Sequence, residues 1–272
     1  MKQSYYKKSI ENGAAELPAG DIGEVLRQIE AGMFTVYYQP QMDMKTGKIV
    51  SAEALVRKMA EDGSMIPPGN FIPFYEMRGS ISYVDLFVLS TACQWLSKWN
   101  KEGHRLKLSV NFSRATLLTE DIVDTITKIC QKNHVSPSDI TVEVTESISK
   151  MDNDRLNSLI NELKAKGFMI SLDDFGSKYS NLAILSEMDF DEIKLDRSLV
   201  SSIEANEKSR VVVDATLKLC SNMGNTVSLA EGIETEGQLN ILREYGCQYG
   251  QGYYFSRPLP QEEFEKFIKQ YS

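Results

Sequence analysis

Histidine and cysteine are scarce. Among 272 residues there are two histidines, His104 and His134, and four cysteines, Cys93, Cys130, Cys220 and Cys247. No two cysteines form a C-x-x-C pair, which argues against a zinc site built on thiolates and imidazoles. Four scattered cysteines in a chain of this length read as reduced, buried thiols of a cytoplasmic protein. Long apolar runs are also missing: none approaches the ~18 residues that a membrane span needs. The start, Met1-Lys2-Gln3-Ser4-Tyr5-Tyr6-Lys7-Lys8, leads into an acidic stretch containing Gly, Ala and Pro rather than an apolar segment, and so does not read as a signal peptide. Positive charge is in deficit, with 30 Lys and Arg against 38 Asp and Glu. A net charge of −8 makes non-specific binding to a nucleic-acid polymer unfavourable. An anionic small substrate stays open if metal ions supply local positive charge. Internal repeats and low-complexity tracts are absent as well.

What is present is an ordinary globular composition, 42% hydrophobic and 25% charged. Residues 1–19 lack periodicity and read as a linker or N-terminal extension. Asp21 is the expected N-cap of a helix through Ile22, Val25, Leu26 and Ile29, stopped by Gly32. Strand-like segments follow at 34–39, 49–56, 106–111, 140–145, 168–173, 192–195, 226–231 and 247–252. The first two flank Lys45-Thr46-Gly47-Lys48 and form a hairpin. Stretches with helical apolar spacing lie at 83–100, 119–133, 152–166, 209–223 and 235–245. Residues 20–272 thus predict one TIM-type (β/α)8 barrel whose first strand, being part of a hairpin, runs antiparallel. The competing architecture, an open doubly wound sheet, ordinarily carries a glycine-rich phosphate loop after its first strand, and none follows Gln39.

The strand ends are unusually polar. Asp173 and Asp174 close the apolar run Phe168-Met169-Ile170-Ser171-Leu172. Two carboxylates about 4 Å apart repel by roughly 4 kcal/mol at an effective dielectric near 20, so a cation must relieve them or one must stay protonated. Other strand ends supply Glu53, Asn111, Glu143, Lys194, Glu231 and Gln251. Taken singly, each has a plain explanation: a capping Asp pair, a solvated lysine, a turn asparagine, a loop glutamate. Together they would converge on the carboxyl face of a barrel, where active sites sit. Carboxylate and amide oxygens without His or Cys favour Mg2+ or Mn2+. The adjacent aspartates suit two metals with one bridging carboxylate, an arrangement fit for phosphodiester hydrolysis. Lys194 can offset negative charge and orient a water or a phosphate oxygen.

Eight ordered segments carry a family resemblance: Tyr38-Gln39-Pro40, Glu53-Ala54-Leu55-Val56-Arg57, Ser109-Val110-Asn111-Phe112-Ser113, Glu143-Val144-Thr145-Glu146, Asp173-Asp174-Phe175-Gly176, Ile193-Lys194-Leu195-Asp196, Ala230-Glu231-Gly232-Ile233-Glu234 and Gln251-Gly252-Tyr253. In these the chain resembles the EAL-domain phosphodiesterases that hydrolyse cyclic di-GMP to linear pGpG. The resemblance implies a first metal on Glu53, Asn111, Glu143 and Asp173, and a second shared by Asp173 and Asp174 with Glu231 contributing. It implies that Lys194 and Gln251 position the attacking water, with Glu231 as candidate base. Arg57, the backbone near Leu55, Gln39 and Asp196 would contact substrate, and Glu146 and Glu234 would brace the loop after Asp174. It further implies a homodimer and fusion to sensor or diguanylate cyclase domains in a longer signalling protein. Two departures stand out: Lys58 replaces the family's usual Trp, and Lys178 replaces a glycine of the loop after Asp174, where a positive φ would cost more. The alternatives are a cyclic di-GMP receptor without catalysis and a scaffold that controls an attached partner.

Overall fold

Alternation along each strand decides the architecture. In Lys107–Asn111, Ile140–Thr145, Met169–Phe175 and Glu192–Leu195, apolar residues such as Leu108, Val110, Val142, Ile170 and Ile193 belong to one continuous core. The residues between them, Ser109, Glu143, Ser171, Asp173 and Lys194, are polar yet buried. One face therefore meets helices and the other meets the opposite strands, which is the geometry of a closed sheet.

The structure, a computed structural model, describes residues 19–145, 148, 153–177 and 182–271. The expected linker up to residue 18, Glu146 and Lys178 lie outside the described residues. In chain order the elements are α1 (Ala19–Glu30), β1 (Phe34–Asp43), β2 (Ile49–Met59), β3 (Met65–Ile66), α2 (Pro68–Met77), α3 (Ile81–Lys101), β4 (Lys107–Asn111), α4 (Arg114–Leu117), α5 (Ile122–Lys132) and β5 (Ile140–Thr145). Then come α6 (Asn153–Ala165), β6 (Met169–Phe175), α7 (Ala183–Glu187), β7 (Glu192–Leu195), α8 (Arg197–Val200), α9 (Glu207–Asn222), β8 (Val227–Ala230), α10 (Glu236–Glu244), β9 (Tyr249–Gly250), β10 (Leu259–Pro260) and α11 (Gln261–Tyr271).

Strands β2, β4, β5, β6, β7, β8 and β9 pair in parallel in that order. β1 closes the ring, antiparallel to both β2 and β9. The reversed first strand expected from the hairpin is thus present, and the barrel is closed as the alternating pattern implied. One expectation is corrected: Asp21 is not an N-cap, because α1 already runs from Ala19. Its apolar side, Ile22, Val25, Leu26 and Ile29, joins Phe34, Phe71, Tyr75, Ile81 and Val84 in a separate cluster beside the barrel. Lys58 belongs to this layer. Its ammonium donates to the Tyr75 hydroxyl at 2.6 Å and lies 5.4 Å from the Phe34 ring centre, so a cation–π contact takes the place of aromatic packing there.

Candidate active site at the carboxyl rim of the barrel

The register sets the site. Gln39 on β1 lies opposite Glu53 on β2, and Asn111 on β4 lies beside Glu143 on β5. At the ends of β6, β7 and β8 stand Asp173 with Asp174, Lys194, and Glu231. Lys194 is fully buried. Its ammonium is 2.7 Å from Glu231, 3.0 Å from Glu143, 3.2 Å from Asp173 and 3.6 Å from Glu53. None of these contacts has the directional geometry of a hydrogen bond, so the ammonium is held by charge at the centre of the carboxylates. The plain reading of Lys194 as a solvated strand residue is overturned.

Glu53 is the best-ordered acid. It accepts from Asn111 Nδ2 at 2.7 Å and from Gln251 Nε2 at 2.5 Å. Gln251 Nε2 also lies 3.1 Å from Gln39 Oε1, and its own oxygen accepts from Gln41 Nε2 at 3.0 Å. Gln39 in turn donates to the Ser256 carbonyl at 3.1 Å. Gln41 was not singled out from the sequence. Its signal was available, since it follows Gln39 by two residues on a strand and must share its face.

The electrostatics divide these acids. Burial pushes Glu53 up, but Lys194 and the two amide donors outweigh it and hold the carboxyl below the usual range. Glu143 goes well above its usual value through burial and the neighbouring Glu53. Asp174 is pushed up to about 6 by burial, Asp173 and Asp196. Glu231 is pushed up to about 8 by burial, which with Asp173 and Glu53 outweighs Lys194. Burial opposes the charge on Lys194, yet the surrounding carboxylates carry its ammonium well above the usual range. One buried ammonium does not balance Glu53, Glu143, Asp173, Asp174 and Glu231, and the surplus is relieved by protons.

The donor set fits hard divalent cations on two observations. Both Glu143 oxygens are fully buried and meet one cation, the Lys194 ammonium at 3.0 Å, while Glu53 and Asp173 crowd them with like charge, a costly state that a divalent cation would relieve. Oxygens of Asp173, Asp174 and Glu231 lie within 4.8 Å of one another. Together with Glu53 and Asn111 they offer only oxygen ligands, the set that Mg2+ and Mn2+ take. A cleft of about 670 Å3 opens above them, lined by Leu55, Arg57, Asn111, Arg114, Asp173 and Asp174. Arg57 is half-buried over Tyr37, with its guanidinium carbon 5.5 Å from the ring centre. Asp196 and Glu234 are engaged in other contacts: Asp196 caps α8, accepting from the Ser198 N–H at 3.0 Å, and Glu234 pairs with Arg197 at 2.7 Å.

A pH dependence follows. Above an ordinary carboxyl value near 4 the unfolded chain has lost protons that folded Glu143, Asp174 and Glu231 still hold. The contribution of these three groups to the stability of the metal-free protein is therefore fullest at low pH and is lost as pH rises through about 6 and 8. Urea denaturation in EDTA should show a fall on the order of a few kcal/mol between pH 5.5 and 8.5. Added Mn2+ should flatten that slope, because metal binding releases the same protons. A stability that rises over this range in EDTA would contradict the arrangement.

Fold and site together define a (β/α)8 barrel with one reversed strand and a carboxylate-rich rim. The sequence profile of the EAL domain matches residues 22–258, and the chain belongs to that family. Over 271 residues it is 35% identical to the signaling protein YkoW of Bacillus subtilis, covering 98% of this chain and 33% of that protein. It is 34% identical over 250 residues to the cyclic di-GMP phosphodiesterase NbdA of Pseudomonas aeruginosa, covering 91% of this chain and 32% of the relative. The solved PaMucR phosphodiesterase in its c-di-GMP complex superposes with a TM-score of 0.83 at 32% identity, covering 90% of this chain and 99% of that one. The chain spans about a third of the length of these curated relatives. No helix among the described residues is long and apolar enough to cross a membrane.

Proposed function

We propose that the chain hydrolyses cyclic di-GMP to linear pGpG with two divalent cations, Mg2+ or Mn2+. The observation that carries this reading is the convergence of four carboxylates, Glu53, Glu143, Asp173 and Glu231, from separate strand ends on one buried ammonium, with Asp174 beside Asp173 and Glu231. Glu53, Asn111, Glu143 and Asp173 would hold one cation, and Asp173, Asp174 and Glu231 the other. Such a pair supplies a water of lowered pKa and stabilises charge on the phosphoryl oxygens.

The chain's own groups do the rest. Arg57 and the backbone at Leu55, on the wall of the cleft, bind the phosphate and hold it in line. Gln39 and Asp196 contact the nucleotide. Lys194 and Gln251 orient the attacking water, and Glu231, once a cation has displaced its proton, accepts one from that water. The new bond joins the water oxygen to phosphorus, and the bond from phosphorus to the ribose 3′ oxygen breaks. That oxygen leaves as a hydroxyl, and the product keeps a 5′ phosphate. The four cysteines are free and buried, which supports a reducing, cytoplasmic setting. The family's habits support a homodimer and attachment to sensor or cyclase domains.

Incubation with cyclic di-GMP and either metal, followed by chromatography, tests the reading. The expected product is pGpG, lost on adding EDTA. Failure to form pGpG with both Mg2+ and Mn2+ overturns the enzyme reading, and tight binding without product would replace it with a receptor.

A further inference from the structure

We infer that the short turn after β7 is a bracket that fixes two of the proposed second cation's ligands, with Arg197 holding Glu231 and Leu199 holding Asp174. This rests on the two-cation reading above. Asp173 needs no such help, because it pairs in register with Thr145 and lies 3.2 Å from Lys194. Asp174 has no register partner on β7, and Glu231, although 2.7 Å from Lys194, lies outside the β7–β8 ladder. Asp174 sits where the β6–β7 register slips, between Leu172 and Phe175, and it adopts a left-handed φ of 58°, which is costly for a residue other than glycine. Glu231 lies one residue beyond β8.

The same few residues secure both. On the Asp174 side, the Phe175 carbonyl accepts from the Asp196 N–H at 2.9 Å. Gly176, at φ 91°, is packed so closely that a Cβ there would lie 2.1 Å from Leu199 Cδ1. On the Glu231 side, the Glu231 N–H donates to the Leu195 carbonyl at 3.1 Å. Gly232, at φ 68°, lies under the Arg197 stem, where a Cβ would fall 2.3 Å from Arg197 Cγ. The turn is itself anchored, because Asp196 caps it and the buried Val200 packs with Leu195, Ile203 and Ile233. Leu195, Asp196, Arg197 and Leu199 thus fasten the two metal-bearing loops to each other as well as to the barrel.

Contact with the glycines is made by apolar stems, not by charge. The Arg197–Glu234 pair is well exposed, at 61% and 43% of side-chain surface, and pairs of that kind contribute little. The variants should therefore separate. Leu199→Ala and Arg197→Ala should weaken the second Mn2+ site by about 10–100-fold, the range for outer partners of metal ligands, with kcat falling in step and KM changing less than about threefold. Arg197→Lys, which keeps the stem, and Glu234→Gln, which removes only the charge, should stay within about threefold of the parent. The readout is Mn2+ titration of the folded protein, followed by the resonance of free Mn2+, beside turnover of cyclic di-GMP. Arg197 is exposed, so its variants should keep the parent's melting temperature, and that arm decides the matter if Leu199→Ala does not fold. Unchanged second-site affinity in Arg197→Ala overturns the bracket, as does a parent protein that takes up only one Mn2+. Absence of pGpG from a parent that binds two Mn2+ overturns the phosphodiesterase reading, and the metal titration still judges the bracket.

Discussion

Lys194→Met should cost the metal-free protein about 3–5 kcal/mol at pH 7.5, the usual loss when one partner of a buried ion cluster is removed. Methionine matches the lysine stem in length and flexibility, so packing is kept and charge alone is lost. Glu53, Glu143, Asp173 and Glu231 all lie within 3.6 Å of the ammonium. Without it their mutual repulsion has no internal cation to offset it. Two conditions should restore the loss: lowering the pH to 5.5, where the carboxyls take up protons, and adding Mn2+. Denaturant titration under the three conditions reads the effect. A variant within about 1 kcal/mol of the parent in EDTA at pH 7.5 would show that the acids are neutral throughout and that Lys194 contributes nothing to holding them.

Glu53→Ala should lower kcat by at least about 1,000-fold, corresponding to roughly 4 kcal/mol of lost transition-state stabilisation. Three groups depend on this carboxylate. It accepts from Asn111 at 2.7 Å and from Gln251 at 2.5 Å, and it faces Lys194 at 3.6 Å. Alanine removes one proposed ligand and lets two amides turn, Asn111, a proposed ligand, and Gln251, proposed to orient the attacking water. Stability should fall as well. Glu53→Gln removes the charge that Lys194, Asn111 and Gln251 favour in the fold, so the metal-free protein should be weaker than the parent at pH 7.5. Turnover within tenfold of the parent in Glu53→Ala would remove Glu53 from the ligand set.

How much of this could be read in advance depended on what each signal reported. The apolar alternation of Ile140–Thr145 and Glu192–Leu195 set those strands to the residue, because burial on one face leaves no freedom of register. β1 and β2 run four and three residues past their expected ends, to Asp43 and Met59. The β1 extension pairs with the start of β2 and with β9, and the β2 extension with the start of β1 and with β3; local propensity does not see such partners. α2 went unanticipated, since Pro67-Pro68-Gly69 looks like a loop, although proline at the first helical position is a favourable start. The ligand types were legible from chemistry alone, as oxygen donors at strand ends. That Lys194 joins them was also legible from the convergence of strand ends; its full burial and its contact with four acids within 3.6 Å were not, because a strand pattern says which face a lysine takes and not how closely acids surround it. Arg197 and Leu199 gave no sign at all. Their part depends on glycines from two other loops arriving beneath them, which only the closed barrel brings about.

The reversed strand has a consequence for how the molecule is wired. Phe34, the first residue of β1, pairs with Lys58 near the carboxyl end of β2. The chain therefore enters the barrel through its working face and not from beneath. α1 lies just ahead of that entrance and packs on Phe71 and Tyr75 of α2, while Pro68, Ile72 and Glu76 of the same helix line the cleft. A mechanical pull on α1 would reach the side of the mouth through one helix-to-helix contact. The strand-borne residues of the site, Glu53, Asn111, Glu143 and Asp173, would feel it last.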